Sequence, residues 1–148
     1  MKGDELKIEL GRRYRFAASH RLHSALLSAE ENSRLYGKCN NPLGHGHNYV
    51  VEICVSGDVD PATGMIANLA DLDGFVEREV MQRMDHRHLN YEVPELAGLI
   101  PTCENVARVI WELLEPKITQ GTLHRVRLYE SADLFAEVMK QRSDEVRM

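Results

Sequence analysis

No stretch of this sequence approaches the roughly 20 consecutive apolar residues that a membrane helix needs, which excludes a membrane-spanning helix. Positive charge is not in excess either. Eighteen Lys and Arg stand against 23 Asp and Glu, giving a net charge of -5, whereas a nucleic-acid surface calls for a basic stripe. Cysteine is scarce: Cys39, Cys54 and Cys103 are odd in number and irregular in spacing, so free thiols are expected rather than a disulfide framework. The opening residues, Met1 to Glu5, lack the apolar core of a signal peptide, and the expected location is the cytoplasm. No repeat, low-complexity tract or linker divides residues 1–148. A single domain is expected, and a hydrophobic content of 43% is enough for an ordinary core.

What the chain does have is an unusual stretch from Tyr36 to Val51, with Cys39 six residues before His45-Gly46-His47. The chain after the triplet alternates like a strand. His45, His47, Tyr49, Val51, Ile53 and Val55 share one parity, so both imidazoles lie on the apolar face. An earlier strand is read over Leu6 to Arg21, with Leu6, Ile8, Leu10, Tyr14, Phe16, Ala18 and His20 on one face and a bulge or bend expected at Gly11. Paired antiparallel, the two strands bring His20 near His45 and His47.

Between them, Leu22 to Gly44 reads as a long polar segment with one short helical turn around Ala29 to Leu35. Connections of this length are uncommon unless functional, and this one carries Cys39. Asp60 to Gly64 is a turn. Asn68 to Met84 reads as a helix capped by Asn68, and Thr102 to about Lys117 as a second helix capped by Thr102. Leu123 to Glu130 and Leu134 to Met139 complete the set as strands. The charged tail from Gln141 is expected to fray. The order ββααββ predicts an α+β fold: an antiparallel four-stranded sheet with two helices on one face. Its open edges must be managed, and pairing with other subunits is one way.

Three inward histidines suit zinc, which takes imidazole nitrogen and in catalytic sites keeps a position open for substrate. A metal there acts as a Lewis acid on a substrate oxygen. Cys39 lies in a polar loop beside Lys38, a setting that favours thiolate and suits a base or nucleophile; Cys54 and Cys103 read as packing thiols. Asp85-His86 fits a carboxylate-oriented imidazole that carries protons, or an ordinary surface pair. Glu130 ends an apolar face, where it either meets a ligand's N–H donors or reaches solvent as a strand-end carboxylate. His23, His88 and His124 read as surface or structural histidines.

Assembled in order, these residues resemble the 6-pyruvoyltetrahydropterin synthase family. The likeness runs from Phe16 to Glu130. It is carried by Ala18-Ser19-His20-Arg21-Leu22, Leu35 to Pro42, Gly44 to Tyr49, Asp60 to Met65, Asn68 to Leu72, Asp85-His86, Glu104 to Ala107 and Tyr129-Glu130. The resemblance implies the tunnelling fold, whose subunits join their sheets into an oligomeric barrel. It implies a homohexamer of two trimers with active sites at subunit interfaces. It also implies zinc on His20, His45 and His47, proton transfer by Cys39, Asp85 and His86, and a pterin ring anchored by Glu130 with Thr102 and Glu104 nearby. The implied substrate is 7,8-dihydroneopterin triphosphate, which loses triphosphate and rearranges internally, without a redox cofactor, to 6-pyruvoyltetrahydropterin.

A sister activity, 6-carboxytetrahydropterin synthase of the queuosine pathway, takes the same substrate. In that group the cysteine precedes the first histidine by a shorter interval. The interval of six here, and the presence of Leu26 to Asn32, favour the pyruvoyl activity. A non-catalytic pterin- or zinc-binding homologue is the third alternative. This chain also departs from the family pattern at Leu43, Cys103 and Ser131.

Overall fold

The computed structural model describes residues 6–141. The tail expected to fray lies, beyond Gln141, outside the described residues, as do residues 1–5. Strand β1, Glu9–His20, pairs antiparallel with β2, His45–Ser56, in unbroken register from Glu9 against Ser56 to His20 against His45. Both strands are 12 residues long, and their alternation leaves one face no choice. Tyr49, Val51, Ile53 and Val55 are fully buried, and removing each such side chain from water contributes about 1.5–3 kcal/mol. A slip of one residue would expose all four at once.

The apolar parity of β1 holds from Phe16 through Ala18 to His20, which are buried, but Leu6 and Ile8 are exposed. Gly11 makes no bulge. It pairs directly with Cys54, and a Cβ at Gly11 would sit 2.9 Å from the Cys54 sulfur, so the glycine permits close approach. The irregularity lies elsewhere, between Cys54 and Val55 where β2 meets β4.

The segment between β1 and β2 is more ordered than its polarity predicts. Helix α1 spans Ala29–Tyr36 and a 3₁₀ turn, Gly37–Asn40, follows. The helix starts at a capping box: Ser28 accepts from the Glu31 amide while the Glu31 carboxylate accepts from the Ser28 amide. Asn32, fully buried, then ties the loop together. Its side-chain oxygen accepts from the Ser24 amide at 2.8 Å, and its NH₂ donates to the carbonyls of Ser24, Leu27 and Ser28.

The first long helix is not one regular rod. α2, Leu69–Val76, capped by Asn68, passes through a π-helical stretch, Glu77–Met81, into a last turn, α3, Gln82–Met84. Leu72, Val76 and Val80 are buried, whereas Leu69 sits at the surface. Next comes a two-residue strand, β3, Arg87–His88, which pairs parallel with β1 at Ala18 and Ser19. A short helix α4, Leu89–Glu92, and a 3₁₀ turn at Pro94–Leu96 lead to α5, Cys103–Leu114, capped by Thr102. Strands β4, Thr122–Tyr129, and β5, Phe135–Val138, finish the sheet.

The class is α+β as expected, but the sheet is mixed and five-stranded, in the order β3-β1-β2-β4-β5. The correction has a physical source. A two-residue strand shows no alternation for a sequence to display, and its pairing is set by the turn at Asp85-His86. The Asp85 carboxylate accepts from the Ala17 amide at 2.9 Å, and the His86 amide donates to the Ala17 carbonyl at 2.6 Å.

Replacing Asn32 by Ala removes four hydrogen bonds from the loop. The carbonyls of Ser24 and Ser28 keep the amides of Leu27 and residue 32, but the Ser24 amide and the Leu27 carbonyl lose the partner they have, at about 1–3 kcal/mol for a group left buried and unsatisfied. The expected result is faster amide exchange confined to residues 24–40, read by hydrogen–deuterium exchange. Equal acceleration in β1 and β2 would show that Asn32 holds the whole fold rather than this loop.

Candidate active site

The register that pairs Ala18 with His47 and His20 with His45 sets three imidazoles at one end of the β1–β2 ribbon. The rings of His20 and His45 are 4.6 Å apart, those of His20 and His47 5.0 Å, and those of His45 and His47 4.8 Å, all edge-on to one another. One nitrogen from each can be chosen so that all three lie within 4.8 Å of one another. His20 Nε2 and His45 Nε2 are 3.1 Å apart, near the roughly 3.4 Å that two ligands of a tetrahedral zinc at about 2.0–2.1 Å would span.

His20 is fully buried, and its Nδ1–H donates to the Pro101 carbonyl at 2.7 Å. That bond fixes the tautomer and leaves Nε2 as the free base facing the cluster. Burial, reinforced by the neighbouring His45 and His47, pulls the His20 pKa from its ordinary 6.5 down to about 4; the Pro101 bond opposes the shift only in part. His45 is lowered for the same reasons. Neutral imidazole is the metal-binding form. His47 Nε2 is buried with no hydrogen-bond partner, an arrangement that costs free energy unless something else engages it; His45 Nδ1 is also unpartnered, but the nitrogen of that ring facing His20 is Nε2. These residues fit a metal ion.

Glu130, just past β4, does not reach out to solvent. Its side chain is only 13% exposed, with Oε1 3.5 Å from His20 Nε2 and 3.9 Å from His47 Nε2. The backbone places it there: the Glu130 amide donates to the Leu134 carbonyl across the β4–β5 turn. Its negative charge helps to push the buried Tyr49 hydroxyl pKa up, after burial itself, and does the same to Cys103, whose pKa rises to about 11. Cys103 is a packing thiol, donating to the Leu128 carbonyl at 3.2 Å. Cys54 is likewise buried, with the Arg125 guanidinium 3.2 Å from its sulfur.

Cys39 sits in the 3₁₀ turn after α1, half-buried, and its carbonyl accepts from the Leu22 amide. With Lys38, Asn41 and His45 it lines an open pocket of about 540 Å³. Asp85 and His86 form a direct pair, Oδ1 to Nδ1, at 2.9 Å. His86 has a left-handed φ of 62°, which non-glycine residues seldom adopt, and its side chain is 83% exposed. It lines a second cavity, of about 360 Å³, together with His47. The structure thus joins the triad to Glu130 and Asp85 to His86, but Cys39 and His86 open into different cavities of one chain. Thr102 uses its hydroxyl as the α5 cap, accepting from the Asn105 amide at 3.2 Å, and Glu104 is an exposed side chain in the first turn. His88, read as a surface or structural histidine, lies in the wall of the His86 cavity. Its place beside Gly44, where a Cβ would meet the imidazole at 3.0 Å, follows from long-range packing that leaves no mark in sequence.

The sequence profile described as 6-pyruvoyl tetrahydropterin synthase matches residues 9–141. The chain belongs to the 6-pyruvoyl tetrahydropterin synthase family. The human protein named 6-pyruvoyl tetrahydrobiopterin synthase is 50% identical over 129 residues, 87% of this chain and 89% of that protein. A putative 6-carboxy-5,6,7,8-tetrahydropterin synthase of Archaeoglobus fulgidus is 35% identical over 79% of this chain and 92% of its own. The structure of Caenorhabditis elegans 6-pyruvoyl tetrahydropterin synthase superimposes with a TM-score of 0.87 at 36% identity, covering 92% of this chain and 97% of that one. None of the helices among the described residues is long and apolar enough to cross a membrane.

The lowered histidine pKa values carry a sign. Unfolded His20 takes up a proton near pH 6.5, whereas the folded residue resists until about pH 4. The unfolded state therefore binds more protons in this window, and the metal-free protein should lose stability as pH falls from about 6.5 to about 4. Thermal melts of metal-free His20→Gln should show a flatter dependence across that window; an unchanged slope would remove His20 as its source.

Proposed function

We propose that this chain converts 7,8-dihydroneopterin triphosphate to 6-pyruvoyltetrahydropterin with release of triphosphate, a carbon–oxygen lyase step of tetrahydrobiopterin biosynthesis. The observation that carries the reading is the three-histidine centre, with buried unpartnered nitrogens, in a chain half identical to a human protein named for this synthesis. His20, His45 and His47 would hold zinc. Bound there, zinc supplies a Lewis acid toward substrate oxygens.

The chain's own residues divide the remaining work. Cys39 takes a proton from the substrate side chain. His86, held by Asp85 at 2.9 Å, returns or relays protons. Glu130 accepts from the amino and ring N–H groups of the pterin, with Thr102 and Glu104 at the same pocket; its half-buried position beside the triad supports this role. The assembly proposed is a homohexamer of two trimers, located in the cytoplasm. Its barrel would use the two edges of the sheet, β5 on one side and β3 with β1 on the other. Cys39 and His86 opening into separate cavities of one chain supports a site completed between subunits.

The carboxy-forming reaction on the same substrate is the second reading, kept open by the archaeal relative. The six-residue interval from Cys39 to His45 and the ordered 22–44 segment favour the pyruvoyl product. A zinc- or pterin-binding homologue without activity is the third.

Mass analysis of the product from 7,8-dihydroneopterin triphosphate separates the three readings directly; the carboxy product or no product would overturn the first. Chelation should abolish turnover and added zinc restore it, with full turnover by a metal-free preparation as the contrary result. Cys39→Ala should lower kcat by a factor of roughly 10²–10⁴, the range for loss of a positioned acid or base, with bound zinc unchanged.

A further inference from the structure

The cavity shared by His47 and His86 has one wall that the proton chemistry leaves unused. That wall is β3 with the end of β1, where Ser19 pairs with His88 and Ala18 with Arg87. Three hydrogen-bond donors stand on it incompletely engaged. The Ser19 hydroxyl has no hydrogen-bond partner among the described residues. Arg87 is 49% exposed, and its sole carboxylate contact among the described residues is Glu92 at 3.6 Å. The His88 Nδ1 accepts from the Asn90 amide at 3.3 Å, which places its ring proton on Nε2, and Nε2–H has no acceptor among the described residues.

The opposing charge is already committed. Glu92 is the one carboxylate lining the cavity, and it accepts from the His88 amide at 2.9 Å as well as facing Arg87. What remains is a concave surface of about 360 Å³, within the roughly 300–1,000 Å³ of small-molecule sites, in which the donors of Ser19, Arg87 and His88 face the Asn48 amide, able to donate or accept, and no uncommitted carboxylate. Such a surface recognises an anion with several oxygens. A guanidinium fork and imidazole N–H groups suit phosphate oxygens well.

We infer that Ser19, Arg87 and His88 form the subsite for the triphosphate arm of the substrate. The inference rests on the function proposed above, because that substrate is the polyanion which must lie beside His47 and His86. It assigns the release step a place: triphosphate leaves from the β3 wall while the pterin stays held on the Glu130 side of the triad. Arg87 and His88 act here as binding residues, through contact with phosphate oxygens rather than with the reacting carbons.

The test is calorimetric titration of the full-length, zinc-loaded protein with inorganic triphosphate, and separately with 7,8-dihydroneopterin, which lacks the phosphates. Arg87→Gln and His88→Asn should each weaken triphosphate binding about tenfold or more, since each removes a hydrogen bond to a charged group. Both variants should bind dihydroneopterin as the parent does and retain its zinc content. Triphosphate binding with unchanged affinity in both variants overturns the inference, as does an equal loss for dihydroneopterin, which would make β3 a support for the pterin pocket. Triphosphate binding lost in the variants of a protein that turns over no pterin would sink the proposed reaction and leave the anion subsite standing.

Discussion

The antiparallel register of β1 on β2 is the constraint on which the site depends. It opposes Ala18 to His47 and His20 to His45, and so gathers onto one patch of sheet imidazoles that lie 25 positions apart in the chain. The register is held not by the histidines but by the fully buried Tyr49, Val51, Ile53 and Val55 further along β2. Core packing at one end of the ribbon thus pre-organises polar ligands at the other. Three histidines brought together by themselves would repel on protonation. Burial resolves this by keeping His20 uncharged down to about pH 4, and the bond from its Nδ1–H to Pro101 turns the remaining nitrogen toward the cluster. The same desolvation that would penalise a lone buried polar group here favours the neutral forms of His20 and His45.

Glu130 shows how far the two sides of the sheet are linked. It continues the parity of Val126 and Leu128 beyond the point where the apolar face stops, and so its carboxylate is delivered to the triad by the same alternation that builds the core. A largely buried carboxylate beside the imidazoles of His20 and His47 is an unsaturated acceptor. It can serve a ligand that carries N–H donors, and it deepens the negative potential into which a divalent cation would settle.

Much of this was legible in the chain itself. Parity alone put His20, His45 and His47 on one inward face, because β-strand alternation is local and the apolar residues beyond them are unambiguous. The Asn68 and Thr102 caps were legible for the same local reason, each being a short polar side chain before an apolar-periodic run. The parts that escaped are those set by distant packing. β3 is two residues long and owes its place to bonds between Asp85-His86 and Ala17, so nothing in its own composition announces a strand. The π-helical stretch at Glu77–Met81 preserves helical periodicity closely enough to be read as ordinary helix. The order in the 22–44 segment comes from Asn32, one polar residue among many there, distinguishable only once its four partners are seen. The capping box at Ser28 and Glu31 was the available sign that this segment begins a helix.

The conformation of His86 bears on how such a site is completed. A left-handed φ at a non-glycine residue costs on the order of 1–3 kcal/mol and persists only where the surroundings fix it. Here they do so twice, through Ala17 to the Asp85 side chain and through the His86 amide to Ala17. Yet the imidazole so firmly mounted is mostly exposed and faces a different cavity from Cys39. Folding alone gives no reason to fix an exposed ring at such cost. A reason exists if the ring must meet a surface supplied by another subunit, since a side chain already rigid loses little freedom when the second surface arrives. In the homohexamer proposed above, the strain at His86 would be preorganisation for a site shared between subunits.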